Sequence, residues 1–386
     1  MDASMPSVPL PVPAEEPSTS AEDQALTFLS QRKFHQIFTL PATKTHEQLK
    51  VTYGIAGPDF EEDAPTILYC GGMFGTRYLA TTQDWFATQK GVRILMIDRP
   101  GFGGSTSVKV TQRIPIFLET VVALLAHLKI EHIALACQSA GTIFALNLIS
   151  HHPDLLYPSN PILTLFSPWV HQSISGATSL KLAAALPDTL VGGWNSLVGT
   201  IVTTGVPTFQ ASSAVFSNVA NLFKNSRREE TSREGEEKVC QDSYGTSLTV
   251  YKEIAKHFSI YVFKENTTGG NDEARLCMKS LGTSWDRCEV YPTFVLDMKV
   301  EWEKRANVNG KKLKLDIAWG EGNDAMIGAA GMKYFKECFK QEKLGEGIEV
   351  EVNEIAGAEH DSIIDPCFTP MRELLDRVSK GWKEAK

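Results

Sequence analysis

The spacing of hydrophobic residues changes several times along the chain, and each change predicts an element. Residues 34–41 and 49–57 alternate between apolar and polar side chains, which is typical of two antiparallel edge strands. Residues 66–70 and 92–98 are short, continuous apolar runs, which predict strands buried on both faces of a parallel sheet. Residues 111–130 have apolar positions at helical spacing and predict an amphipathic helix.

Between residues 65 and 170 the predicted elements alternate as strand, helix, strand, helix. This order predicts an α/β fold with a mostly parallel sheet flanked by helices and joined by right-handed crossovers. The other predicted strands are 132–138, 161–169, 312–324 and 347–357, and the other predicted helices are 78–91, 140–153, about 330–341 and 370–382.

The pattern divides the chain into four segments. Residues 1–24 are rich in proline, serine and acids and predict a disordered leader. Residues 25–169 and 301–386 predict the α/β core, and 170–300 a mostly helical lid inserted into it. Within the lid, the apolar stretch 190–205 predicts the lining of an acyl or aromatic pocket.

Composition excludes several classes of protein. The chain has 386 residues, 42% of them hydrophobic, and a formal net charge of -8, which argues against nucleic-acid binding. The seven cysteines include no C-x-x-C pair, so we expect a reducing compartment and no metal site. We find no signal peptide and no uninterrupted apolar run of membrane-spanning length, and therefore expect a cytoplasmic protein without a stable membrane anchor. The sequence leaves the oligomeric state open.

The candidate chemistry centres on Ser139. The predicted strand 132–138 runs into Cys137-Gln138-Ser139-Ala140-Gly141 and a helix follows at once, which is the context of the nucleophile elbow G-x-S-x-G. Gln138 and Gly141 would support this turn, and the backbone N–H of Ala140 would point at a developing oxyanion. On these residues alone, a serine that caps the helix is the favoured interpretation.

Two glycine-containing loops follow neighbouring predicted strands. Gly71-Gly72-Met73-Phe74-Gly75 can bend a backbone N–H toward the nucleophile, and by position Met73 would be this second oxyanion donor, with Gly71 and Gly72 supporting the loop. The segment 98–105, DRPGFGGS, predicts a tight loop with a structural role. Neither loop fits a nucleotide-binding pattern, and we expect no cofactor.

Taken in order, GGMFG, DRPGFGGS, CQSAG, WGEGND and AGAEHD resemble the α/β-hydrolase superfamily, in particular its lid-bearing serine esterase and lipase-like group. The resemblance covers residues 34–386 apart from the lid. It implies a triad in the chain order serine, acid, histidine. Asp324 matches the acid, with Glu321 as the runner-up, and His360 is the only histidine after Asp324.

The chain departs from the family pattern at two positions. Gly71-Gly72 stands where the family usually has His-Gly, and Cys137 stands where its elbows usually have glycine. Neither change removes a catalytic group, but both leave the oxyanion geometry and the substrate preference open.

The resemblance implies a serine hydrolase that cleaves a small apolar or aromatic carboxylic ester, lactone or thioester through an acyl-enzyme on Ser139. The same triad also serves C–C bond hydrolases and acyltransferases, and nothing in the motifs separates these reactions. A non-catalytic ligand-binding protein of this fold is a further alternative, and so is a lipase that docks on a membrane through residues 190–205.

Overall fold

The computed structural model describes residues 19–177, 193, 195–196, 233–321, 324 and 326–386. Most of the predicted leader and most of the apolar stretch 190–205 lie outside these residues. All statements below concern the described part of the chain.

Eight strands in the described residues form one sheet in the order β1-β2-β4-β3-β5-β6-β7-β8. Strand β2 pairs antiparallel with β1 and with β4, and every other neighbouring pair is parallel. The predicted α/β fold with a mostly parallel sheet is therefore confirmed. The strands are β1 Gln36–Leu40, β2 Leu49–Ala56, β3 Thr66–Cys70, β4 Arg93–Ile97, β5 Ala134–Gln138, β6 Ile162–Phe166, β7 Leu313–Gly320 and β8 Ile348–Ile355.

The central strands are apolar because both of their faces are covered. Every residue of β3, β4, β5 and β6 is buried, and their side chains alternate between two hydrophobic clusters, one on each side of the sheet. This explains why the sequence shows continuous apolar runs there. Strand β6 ends at Phe166, earlier than predicted, because Ser167 has a positive φ of 41° and Pro168 has no N–H to donate.

The helices of the core surround this sheet, and those of the insertion follow β6. The core helices are α1 Ala21–Leu29, α2 Leu79–Lys90, α3 Arg113–His127, α4 Gly141–His151, α10 Gly328–Cys338, α11 Gln341–Leu344 and α12 Thr369–Ala385. The described helices between β6 and β7 are α5 Gln172–Ser175, α6 Arg233–Tyr244, α7 Leu248–Lys264, α8 Gly269–Cys277 and α9 Tyr291–Asn309.

Two predicted boundaries differ from the structure. Helix α1 begins at Ala21, with Ser20 as its N-cap, so the leader does not extend to residue 24 as predicted. The Ser20 Oγ accepts a hydrogen bond from the Asp23 N–H, which fixes the first turn. The predicted boundary at residues 300 and 301 falls inside α9, which is a single helix across that point.

One helical segment of the described chain, Val110–His127, is long and apolar enough to be a candidate membrane span by length and composition. Half of it is buried inside the fold, where α3 packs against β1 and α4. Core helices commonly have these properties.

Candidate active site

Ser139 lies in the sharp turn between β5 and α4. Its φ of 48° is in the left-handed region, which is unfavourable for a residue with a side chain. The Ser139 N–H donates to the Phe166 carbonyl of the neighbouring strand, at 3.1 Å, and this bond holds the turn. A Cβ atom at Gly141 would lie 2.0 Å from the Cys70 carbonyl oxygen, so only glycine fits there.

Cys137 does not disturb the turn. Its side chain is fully buried in the hydrophobic cluster that contains residues of α3 and α4, and its Sγ lies 3.9 Å from the Thr142 Oγ1. The residue two positions before Ser139 therefore has room for a small side chain, unlike Gly141.

The loops after β7 and β8 bring Asp324 and His360 to Ser139. The His360 Nε2 lies 2.9 Å from the Ser139 Oγ, and the His360 Nδ1 lies 2.7 Å from the Asp324 Oδ2. Ser139, Asp324 and His360 are 8%, 5% and 6% exposed, so water has little access to this chain of hydrogen bonds.

The second oxygen of Asp324 is also bound. The Asp324 Oδ1 accepts hydrogen bonds from the backbone N–H groups of Met326 (2.9 Å) and Ile327 (3.0 Å), which fix the orientation of the carboxylate. Glu321, the runner-up, is exposed and accepts a bond from the Gly357 N–H instead. The geometry at His360 therefore favours Asp324 over Glu321 as the acid.

Asp324 and His360 change each other's pKa. Burial alone would lower the pKa of the His360 imidazole, but the charge and hydrogen bond of Asp324 outweigh it and raise this pKa to about 9. Burial would raise the pKa of the Asp324 carboxyl, yet His360 and the two backbone N–H donors keep it below its ordinary value. The Asp324 carboxylate therefore stabilises the protonated form of the His360 imidazole.

The two predicted oxyanion donors belong to two different segments near Ser139. Ala140 immediately precedes α4, so its N–H belongs to a helix N-terminus, and Met73 lies in the loop after β3. No described residue accepts a hydrogen bond from either N–H. A Cβ atom built on Gly72 would lie 3.4 Å from the Ser139 Cβ, so the loop 71–75, hereafter the oxyanion loop, passes close to the serine.

Gln138 has a role that the sequence did not indicate. Its fully buried side chain donates from Nε2 to the His360 carbonyl, at 3.1 Å, and its Oε1 accepts a bond from the Tyr69 hydroxyl. The residue before the serine thus anchors the loop that carries His360. The two residues lie 222 positions apart, and no local sequence signal could have revealed this bond.

The predicted structural loop 98–105 is held by a buried ion pair. The Asp98 Oδ2 lies 2.6 Å from the Arg77 Nη1, and Arg77 also pairs with Glu265, directly after α7 of the insertion, at 2.6 Å. The insertion is thereby linked to the strand ends that surround the site.

Possible metal ligands come together at one place in the described chain. Donor atoms of Glu22, Glu253 and His257 lie within 4.8 Å of one another. The His257 Nε2 lies 2.9 Å from the Glu22 Oε1, a contact that joins α7 to α1, and the Glu22 side chain is half exposed.

Comparison with known proteins agrees with this architecture. The family model described as the alpha/beta hydrolase fold matches residues 65–156, which contain β3, β4, β5 and the turn at Ser139. The chain has the α/β-hydrolase fold. No curated protein matches the sequence.

Solved structures share this α/β-hydrolase fold at low sequence identity. A carboxylesterase from the thaumarchaeon Nitrososphaera gargenis superposes with a TM-score of 0.52 at 13% identity, over 90% of this chain and 100% of the other. A bacterial membrane phospholipase A superposes with a TM-score of 0.50 at 12% identity, over 94% of this chain and 90% of the other. Identities this low establish the α/β-hydrolase fold and not the activity.

Proposed function

We propose that this protein is a serine hydrolase that cleaves a carboxylic ester, lactone or thioester through an acyl-enzyme on Ser139. The observation that carries the proposal is the hydrogen-bond chain from Ser139 through His360 to Asp324. A serine, an imidazole and a carboxylate in this order have the geometry of an activated nucleophile.

In the proposed reaction, neutral His360 accepts the proton of Ser139 as the Oγ attacks the substrate carbonyl carbon. Asp324 orients the imidazole and stabilises the positive charge that forms on it. The N–H groups of Met73 and Ala140 bind the oxyanion, and one donor of this kind contributes on the order of 100- to 1,000-fold in rate. His360 then protonates the leaving group. Water, activated by the same imidazole, attacks the acyl-enzyme and releases the acid.

The same residues can also serve C–C bond hydrolysis or acyl transfer. We place hydrolysis before acyl transfer because it needs only water as the second substrate, and ester cleavage before C–C bond cleavage because the fold is shared with a carboxylesterase. We further propose that the substrate is a small apolar or aromatic molecule. A non-catalytic binding protein would not need the serine, imidazole and carboxylate in hydrogen-bond contact.

A fluorophosphonate probe tests the nucleophile directly. We expect one covalent adduct, located on Ser139 by peptide mass spectrometry, because the activated Oγ attacks phosphorus as it would attack a carbonyl. The Ser139→Ala variant should give no adduct and lose activity on the order of a million-fold in kcat, with an unchanged melting temperature. Folded wild-type protein that neither reacts with the probe nor hydrolyses any substrate would favour the non-catalytic alternative.

The substrate class requires a separate experiment. A panel of p-nitrophenyl esters of increasing acyl length, assayed beside lactones and thioesters, would rank the classes by kcat/KM. Adding a primary alcohol as a competing acceptor distinguishes acyl transfer from hydrolysis, since only a transferase forms the new ester in preference to the acid.

A further inference from the structure

A buried cluster of two arginines and one glutamate joins the insertion to the core. Arg99 follows β4, Arg113 begins α3 and Glu273 belongs to α8, and each is at most 1% exposed. The Arg99 Nη2 lies 2.8 Å from the Glu273 Oε2, and the Arg113 Nη2 lies 2.8 Å from the Glu273 Oε1. The single carboxylate of α8 thus pairs with both cations, which would otherwise repel each other in the interior.

Arg99 also binds the oxyanion loop. Its Nη1 donates to the Gly71 carbonyl at 2.8 Å, and its Nη2 donates to the Gly72 carbonyl at 2.7 Å. In a trans peptide the C=O and the following N–H point in opposite directions. A guanidinium that fixes the Gly72 carbonyl therefore fixes the direction of the Met73 N–H. The Gly75 N–H binds the same carbonyl at 2.8 Å and closes the turn.

Helix α8 packs directly on this loop. A Cβ atom at Gly270 would lie 2.4 Å from the Phe74 ring, so the first turn of α8 is in close contact with the oxyanion loop. The Gly269 N–H donates to the Gly101 carbonyl at 2.9 Å. The helix that supplies Glu273 is thus in contact with the same loop that Arg99 holds.

We propose that Glu273 is a positioning residue which, through Arg99, holds the Met73 N–H in the orientation that binds the oxyanion. Docking of α8 on the core then controls turnover without contact between Glu273 and the substrate. The inference rests on the proposed function, since it assigns Met73 to the oxyanion hole of that reaction.

Arg99→Met and Arg113→Met form a matched pair of variants. Each variant replaces an arginine with an uncharged, unbranched side chain and removes one ion pair with Glu273. Only Arg99, however, binds the Gly71 and Gly72 carbonyls. For Arg99→Met we expect kcat per active site to fall by about 10- to 100-fold, with KM within about twofold of wild type. For Arg113→Met we expect kcat per active site within about threefold of wild type.

The concentration of active sites is measured from the end point of fluorophosphonate labelling. The rate is divided by this concentration, so that misfolded protein does not lower the kcat value. Affinity for an arylboronic acid, whose tetrahedral adduct on Ser139 occupies the oxyanion site, should fall in Arg99→Met by the same factor as kcat. A purely structural role for Arg99 would lower the melting temperature of both variants and leave kcat per labelled site equal in the two. That equality would overturn the inference.

Glu273→Gln weakens the Arg99–Glu273 ion pair from the α8 side. This variant tests the inference if Arg99→Met does not fold. It leaves Arg99 with the Gly72 carbonyl but without its carboxylate, and we expect an intermediate loss of kcat and of boronate affinity at constant KM. If folded Glu273→Gln has the kcat of the wild type, the inference is overturned while the proposed function stands. Wild-type protein without activity or labelling would overturn the proposed function, and the inference with it.

Discussion

Asp324 and His360 set the pH at which the site can work. Asp324 raises the pKa of His360 to about 9, and only the neutral imidazole accepts a proton, so kcat/KM should increase with pH through that pKa. In Asp324→Asn the larger raising charge is lost, while burial and the smaller effect of Asp361 remain, so the midpoint should move to lower pH. The rate at neutral pH should also fall by about 10,000-fold, because the amide no longer stabilises the correct tautomer.

The measurement is kcat/KM of both proteins between about pH 5 and 10. Glu321→Gln is the matched control, since it removes an acid of the same loop that has no bond to His360 and should leave the profile unchanged. A midpoint that stays in place in Asp324→Asn, or moves upward, would contradict the assignment of Asp324.

Individual residues of the site differ in how far the sequence predicts them. Ser139 stands in a recognisable turn, and the order of the chain leaves His360 as a single candidate. Asp324 was preferred from the sequence, but Glu321 stayed an alternative because both acids lie in one glycine-containing loop, and the contact with His360 favours Asp324. The hydrogen bond from Gln138 to the His360 carbonyl could not be predicted, because the two residues lie too far apart in the sequence to form a recognisable motif.

At the scale of elements, helix α1 packs against α7 of the insertion. Leu29, near its end, is 1% exposed. We expect Leu29→Ala to lower the free energy of unfolding by about 2–4 kcal/mol, because the side chain leaves a cavity in the packed interior. Urea denaturation of the variant measures this loss.

Thr27→Ala is the control for Leu29→Ala, since Thr27 is an exposed position of the same helix and should change stability by less than about 0.5 kcal/mol. Equal stability of the two variants would show that α1 does not contribute to the folded core.

The strands were predicted more closely than the start of the described chain. Strand β3 was predicted with its observed bounds, since a strand covered on both faces leaves a continuous apolar run between polar turns. Helix α1 was missed because its first residues continue the polar composition of the segment before it. Ser20 and Asp23, spaced as an N-cap and its partner, are the signal that could have placed its start.

At the scale of the whole molecule, all seven cysteines are free and six are fully buried. Burial raises the pKa of Cys70 and of Cys367, the half-buried exception, to about 12 in each case. We therefore expect iodoacetamide at neutral pH to leave the native cysteines largely unmodified while it alkylates all seven in denaturant, because thiolate is the reactive form. Intact-mass spectrometry counts the adducts. Rapid native modification of Cys137 would contradict the packing described around Ser139.

The fold class followed from the order of predicted strands and helices, whereas the attachment of the insertion did not. Arg99 and Glu273 lie 174 positions apart, and each is an ordinary charged residue within its local sequence. Only the three-dimensional arrangement shows that they form one buried pair.

This buried cluster also bears on protein engineering. An insertion transplanted from another protein of this fold, without an acid at the position of Glu273, would leave Arg99 and Arg113 confined together without a counter-ion. A chimaera joined at the loops that flank the insertion would contain this buried repulsion between Arg99 and Arg113 even if the junctions themselves caused no distortion. The three residues should therefore be exchanged as one unit, with both arginines replaced whenever the new insertion lacks this acid.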